Sequence, residues 1–184
     1  MISNQVTEVI SKRRSIRKYK AEPVTEEQLS TILECGFLAP SGSNCQNWHV
    51  TVVKNPDYIA RLSKSFAEMM QKNGNLPERM KERFSAPNFS VSFGAPVVLF
   101  ISADGPRDNA CFLAENMVLT AHSIGLGTCY LGGIIAYLET EEGKAFVDEL
   151  NLPQGCRLLF GITVGVPDEE PEAKPRDYTK VNFI

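Results

Sequence analysis

Val6, Val9 and Ile10 recur at i, i+3 and i+4, which predicts a helix from about Ser3 to Lys12 with Ser3 as its cap. Leu29, Ile32, Leu33 and the Gly36-Phe37 pair mark a second helical face that runs to about Ala39. Its start is signed by Thr25 with Gln28 three residues on, a capping-box spacing, and by Glu26 and Glu27 in the first turn, where the helix dipole favours them. Pro40-Ser41-Gly42-Ser43-Asn44 then breaks the pattern into a loop. The β-branched run Val50-Thr51-Val52-Val53 predicts a strand over Trp48–Val53, and a helix is expected from Pro56 to about Gln71. Residues 72–94, interrupted by Gly74, Pro77, Pro87 and Gly94, are expected to be irregular, an excursion or a lid. The continuous apolar run from Pro96 to Ser102 predicts a buried central strand. Asp108–Ile124 carries apolar residues on more than one stripe, so a helix covered on several sides is expected there. The glycine-dense stretch from Gly125 to Gly133 suggests a short strand passing into a loop. A short helix over Thr140–Leu150, a last strand over Cys156–Val166 and an extended C-terminal arm over 167–184 complete the pattern. Long helices and few strands point to one α+β domain over residues 1–184, with helices around a central sheet, rather than to a doubly wound fold.

Composition narrows the function classes. Of 184 residues, 43% are hydrophobic and 22% charged, the balance of an ordinary globular chain. The net charge of −3 argues against bulk attraction to nucleic acid or to an anionic membrane. No stretch approaches the ~20 apolar residues of a membrane span, and Met1–Lys20 has no secretory pattern, so a cytosolic protein is expected. The five cysteines form no C-x-x-C pair, and the two histidines, His49 and His122, have no metal-ligand spacing. No metal site and no Ser-His-Asp triad is expected.

Four segments could carry chemistry. Six cations lie between Lys12 and Lys20 with Ser15 among them, and Arg forks suit a phosphate dianion, although cations also favour any helix C-terminus. The loop from Pro40 to Asn44 offers small polar side chains and free N–H groups that could cradle an anion, or it is a plain loop. Gly125-Leu126-Gly127-Thr128-Cys129-Tyr130 lacks the third glycine of a dinucleotide fingerprint and follows a helix, so that reading is rejected; what remains is backbone that a flat ligand can approach closely. Lys174-Pro175-Arg176 taken alone is a solvated basic pair.

The order and spacing of the four say more. Arg13-Arg14-Ser15-Ile16-Arg17, then Ala39-Pro40-Ser41-Gly42-Ser43-Asn44-Cys45-Gln46-Asn47-Trp48, the glycine-rich turn and Lys174-Pro175-Arg176 together resemble the FMN-dependent nitroreductase family over about Val6 to Arg176. The resemblance implies a nitroreductase-like α+β sandwich, a central mostly antiparallel sheet surrounded by helices, in an intertwined homodimer with FMN in each of two interface pockets. It places Arg13, Arg14, Ser15 and Arg17 at the phosphate, ribityl chain and pyrimidine edge, and Pro40, Ser41, Gly42 and Asn44 on the other subunit's cofactor. Leu131, Gly132 and Gly133 would line the ring, Lys174 and Arg176 would close on the phosphate, and Asn88 would supply a polar contact from the middle segment. Relatives carry Pro-x-Glu-Gly at the ring-contacting turn; here Tyr130-Leu131-Gly132-Gly133 has no carboxylate.

The implied activity is hydride transfer from NADH or NADPH to FMN and on to a small acceptor such as a nitroaromatic or a quinone. The cofactor supplies the redox chemistry and the protein supplies binding, orientation and electronics, so no side-chain catalytic residue is expected. Arg17 and Gly132 are the expected tuners of the ring. Two other readings stay open at this point: a relative on the same fold with different chemistry, such as reduced-flavin cleavage or reductive dehalogenation, and a non-enzymatic nucleotide-binding module.

Overall fold

The computed structural model describes residues 2–72 and 74–184. Its centre is a sheet of β1 (Trp48–Val53), β2 (Val97–Ala103), β3 (Gly127–Leu131) and β4 (Arg157–Gly165), in the order β1-β2-β4-β3 with every pairing antiparallel. Every residue of β2 is buried, as its uninterrupted apolar sequence requires of a strand covered on both faces. The antiparallel α+β architecture is therefore the one anticipated.

Strand alternation sorts the core into two layers. On the first face Leu99, Ile101, Ile162 and Val164 pack against α2 (Glu26–Phe37) and α5 (Arg107–Ser123), through residues such as Ile32, Leu113 and Met117. On the second, Val98, Phe100 and Leu131 meet α3 (Pro56–Lys72), α4 (Glu78–Ser85), α6 (Ile135–Leu138) and α7 (Glu141–Glu149), an aromatic layer that includes Tyr58, Phe66, Tyr137 and Phe146. The capping box of α2 is present: Thr25 Oγ1 accepts from Gln28 N at 3.1 Å, and Gln28 Oε1 accepts from Thr25 N at 3.0 Å.

Three expectations need correction. Asn4, not Ser3, caps α1 (Gln5–Lys12), in a reciprocal pair with Thr7. Residues 72–94 are not irregular throughout, because Glu78–Ser85 forms α4. Its prolines bound the helix instead of breaking it: Pro77 precedes the first turn, where a missing N–H costs nothing, and Pro87 follows the last. The turn after β3 contains the short helix α6, which the glycine-rich pattern did not suggest. As expected, α5 is covered on several sides, by α1, α2, β2 and β3, while Phe112 on its outer surface is 52% exposed. From Pro167 onward the chain holds no helix or strand and is exposed almost throughout. Among the described residues no helix is long and apolar enough to cross a membrane.

Candidate functional site

The basic N-terminal segment lies along the free edge of the sheet. Ser15 bridges to Thr128 of β3 in parallel fashion, and Ile16 N donates to Thr128 O at 2.9 Å. Lys20 N then donates to Val166 O and Asp168 N to Lys18 O, both at 2.9 Å, so the segment is held at its far end too. A side chain at Gly127 would collide with buried Ile16, its Cβ falling 2.7 Å from Ile16 Cγ1. That glycine lets the segment approach the strand closely. Tyr19 locks the next residue pair, its hydroxyl 2.8 Å from Ile16 O and 2.6 Å from Thr163 Oγ1, and burial pushes the phenol's pKa up.

This edge brings Arg13 and Ser15 into a groove of about 340 Å³ on the first face, between α5 and the β3–β4 pair. Thr128, Phe160 and Ile162 form its floor, and Tyr130 and Arg107 stand at its end. Arg107 Nη2 donates to Tyr130 Oη at 3.0 Å and its guanidinium sits 5.7 Å from the Phe160 ring centroid. Arg14 turns back on its own backbone, donating to Ser11 O and Arg13 O at 2.7 Å each, which leaves its Nε buried without a partner. Arg17 is exposed; its backbone N–H donates to the Glu169 carboxylate and its Nη1 to Ser15 O at 3.4 Å. The local field is positive: His122, beside this cluster, has its pKa lowered by burial and then by Arg13, Arg14 and Lys12.

At the end of β3 the turn Gly132-Gly133 leaves bare backbone. A Cβ on Gly132 would lie 2.3 Å from the Tyr130 ring, whereas one on Gly133 would meet nothing within 4 Å. Leu131 faces the other way, its side chain buried on the second face, where with Gly133 it lines a separate cavity of about 360 Å³. Tyr130 borders both spaces.

The remaining residues singled out from the sequence stand apart within this chain. Pro40, Gly42 and Asn44 are exposed and Ser41 is half-buried on a loop at the N-terminal end of α5. Ser43, Asn44 and Gln46 all take left-handed backbone there, at φ of 52°, 53° and 46°. Asn109 of α5 holds that shape: its Oδ1 accepts from Gly42 N at 3.3 Å and its Nδ2 donates to Asn47 Oδ1 at 2.6 Å. Lys174 and Arg176 lie on the exposed C-terminal arm, and Asn88 is an exposed turn residue outside both cavities. Arg107, Phe160 and Asn109 escaped the sequence reading because none belongs to a charged cluster or a spaced motif, and Tyr130 was read only as part of the glycine-rich turn. Among the described residues no group of three or more His, Cys, Asp or Glu could hold a metal ion.

The profile of the nitroreductase family matches residues 10–166. A protein named NADPH-flavin oxidoreductase from Vibrio harveyi is 34% identical over 183 residues, covering 94% of this chain and 70% of its own. Among solved structures, an FMN-dependent nitroreductase from Clostridium difficile R20291 aligns with a TM-score of 0.81 at 31% identity, covering 98% of this chain and 99% of its own. A nitroreductase with bound FMN from Bacteroides fragilis has the same fold, with a TM-score of 0.86 at 23% identity over 99% of this chain and 100% of its own.

Proposed function

The chain belongs to the nitroreductase family, and from that premise we infer that it is an FMN-dependent oxidoreductase that takes reducing equivalents from NADH or NADPH and passes them to a small acceptor. The observation that carries this reading is the groove along β3, which joins an arginine-serine end to an apolar floor and stops at Tyr130, two residues before the bare Gly132-Gly133 turn. A groove of that size and mixed polarity suits a cofactor.

The donor set fits FMN. Arg13 and Ser15 supply a guanidinium fork and a hydroxyl for a phosphate or a polyol chain, and the buried, unpartnered Nε of Arg14 leaves further donor capacity beside them. Phe160 and Ile162 give a flat ring an apolar seat. The backbone of Gly132 and Gly133 offers N–H groups at the strand end with no carboxylate beside them. When bound, FMN accepts a hydride from the nicotinamide and returns the electrons to the acceptor.

Within that scheme each side chain has a limited task. Arg13, Arg14 and Ser15 bind the polar end, an interaction equal before and after electron transfer, so they govern occupancy more than turnover. Arg17, exposed and outside the groove of its own chain, keeps its proposed role of stabilising negative charge that reduction puts on the ring on the family resemblance alone. Glu169, accepting from the Arg17 backbone, fixes that residue's position. The site holds no histidine of its own, so the proton that accompanies the hydride comes from solvent.

The working unit is a homodimer. Pro40, Ser41, Gly42, Asn44, Lys174 and Arg176 do not reach the β3 groove of their own chain, and a two-fold partner is the economical way to bring them to it. Apolar Val6 and Ile10 on α1, Leu38 just past the end of α2 and Phe112 on α5 are exposed and support this. Asn88 remains a secondary contact in this scheme. The test is an absorption spectrum of the purified protein followed by anaerobic titration with NADH and NADPH, alongside its mass in solution. A yellow dimer that bleaches is expected; a colourless protein that takes up no FMN would refute the reading.

A further inference from the structure

Cations stand at both ends of the β3 groove, and only one of them has a task in the scheme above. Arg13, with Ser15, holds the polar end. At the other end is Arg107, the first residue of α5, beside Tyr130. Its Nη2 donates to Tyr130 Oη at 3.0 Å and its guanidinium carbon lies 5.7 Å from the Phe160 centroid, so a hydroxyl and a ring of the groove floor fix the fork. Gly132 makes room for this arrangement, since any Cβ there would strike the Tyr130 ring.

Nothing in the fold accounts for a charge at that place. Among the described residues Arg107 has no carboxylate partner. The carboxylate on the groove wall, Glu115, is about two turns further along α5, roughly 12 Å away. A cation in the first turn of a helix sits at the unfavourable end of the dipole, and the adjacent Asp108 does not face it, because i and i+1 side chains diverge around a helix. Arg61 on α3 makes the contrast. It sits over two rings, Tyr58 and Phe146, and both its terminal nitrogens donate to Glu149, at 2.9 and 2.6 Å. One stacked arginine is saturated by the fold; the other keeps all but one of its five donors free at the end of the groove.

We propose that Arg107, held by Tyr130 and Phe160, stabilises the negative charge of the reduced ring, so that it sets the reduction potential of bound FMN while Arg13 sets the cofactor's affinity. A hydride leaving the nicotinamide takes two electrons and one proton with it, so the nicotinamide departs oxidised and the ring gains one negative charge. Arg13 and Ser15 meet the same phosphate before and after, and favour both states equally. With the phosphate at that end, the apolar floor of Phe160 and Ile162 carries the ring towards Tyr130, and the new charge arises beside Arg107. The guanidinium donates to the ring's polar edge, and the Tyr130 hydroxyl, which accepts from Arg107, keeps its own hydrogen for a ring carbonyl. Both donors are oriented before the charge arrives, so little reorganisation is needed when it does. The proposal rests on the functional reading above.

Its test is the midpoint potential of bound FMN, from anaerobic titration against a redox dye, together with the dissociation constants of oxidised and reduced FMN. In Arg107→Met the constant for oxidised FMN is expected to stay within about twofold of wild type while that for reduced FMN rises about tenfold. A tenfold difference between the two states lowers the potential of a two-electron couple by about 30 mV. Arg107→Lys should recover part of the loss, because a point charge remains without the fork. Arg13→Ala should weaken both states alike and leave the potential in place, and Arg17→Met should move it less than Arg107→Met. An unchanged potential in a yellow, fully loaded Arg107→Met enzyme overturns the proposal and leaves the functional reading intact. So does equal weakening of both states in Arg107→Met, or a larger shift in Arg17→Met. Failure of the wild type to take up FMN defeats the functional reading instead.

Discussion

Arg61 and Arg83 rest on the same aromatic layer of the second face, yet only one is finished by the fold. Arg61 is tied to Glu149 across α3 and α7, so stacking and ion pair together clamp two helices. Arg83 has the stacking without the anion. A cation that already has its carboxylate is committed to the fold, whereas one held by rings alone keeps its charge uncommitted. Place then decides its use: Arg107 is equally without a carboxylate but lines the β3 groove, which Arg83 does not. Arginine content by itself therefore says little about function, and partner and place together say more.

The strongest blow to this contrast is the layer itself. Phe66 packs against Phe84, Phe89 and Tyr137 with ring centroids 5.6, 6.3 and 5.6 Å away, and so underlies the seat of Arg83 directly. Phe66→Ala is expected to cost about 3–5 kcal/mol of stability, measured by denaturant unfolding. It should leave the midpoint potential of bound FMN in place, because this layer lies on the opposite face of the sheet from the β3 groove. If the potential moves as stability falls, the second face also shapes the flavin seat and Arg107 is not alone in setting it.

The first-face groove supplies the next test. Arg13→Ala is expected to weaken FMN binding about tenfold or more, followed by flavin content after dialysis, while Lys20→Ala retains the cofactor. The two lie on one edge segment, but only Arg13 lines the groove, and Lys20 is instead beside Glu22. Equal retention in both variants would show that the segment acts through general charge. Asn44→Ala should have a smaller effect, a few-fold loss of FMN affinity, because the loop shape is held by Asn109 and only one contact disappears.

How far these regions could be foreseen differs for physical reasons. The buried strand over Val97–Ala103 and the capped helix α2 announce themselves locally, by an unbroken apolar run and by Thr25 with Gln28. The Arg13–Arg17 cluster was legible because charge and a hydroxyl recur within a few residues, and the structure needs only a strand edge to align them. Arg83 was not legible. Its setting consists of three rings, one of them Phe93 on left-handed backbone ten residues away, and of the absence of a carboxylate, which no linear pattern can reveal. The helix around it was missed for a related reason, since Pro77 and Pro87 look like interruptions until their positions outside the helix ends are known. Asn109 likewise acts on a loop more than sixty residues upstream, and no spacing rule connects them.

The smallest effect separates the two arginines most cleanly, through pH. The hydrogen bonds from Arg61 hold the Glu149 carboxyl below its ordinary pKa of 4.5 in the folded protein. A carboxyl depressed on folding contributes stability above its unfolded pKa and loses it as pH falls through the folded value, because the unfolded chain then binds the proton more readily. Both groups are exposed and screened, so the contribution is modest. Arg61→Met should therefore lower Tm slightly near neutral pH, and the gap to wild type should close as the solution is taken to about pH 3. Arg83→Met should show no such pH-dependent gap, since among the described residues no carboxylate pairs with it. The potential of bound FMN should hold in both variants, since neither arginine lines the β3 groove. A pH-dependent Tm gap in Arg83→Met would mean that its guanidinium does serve an internal anion, and the distinction between the paired and the unpaired cation would fail.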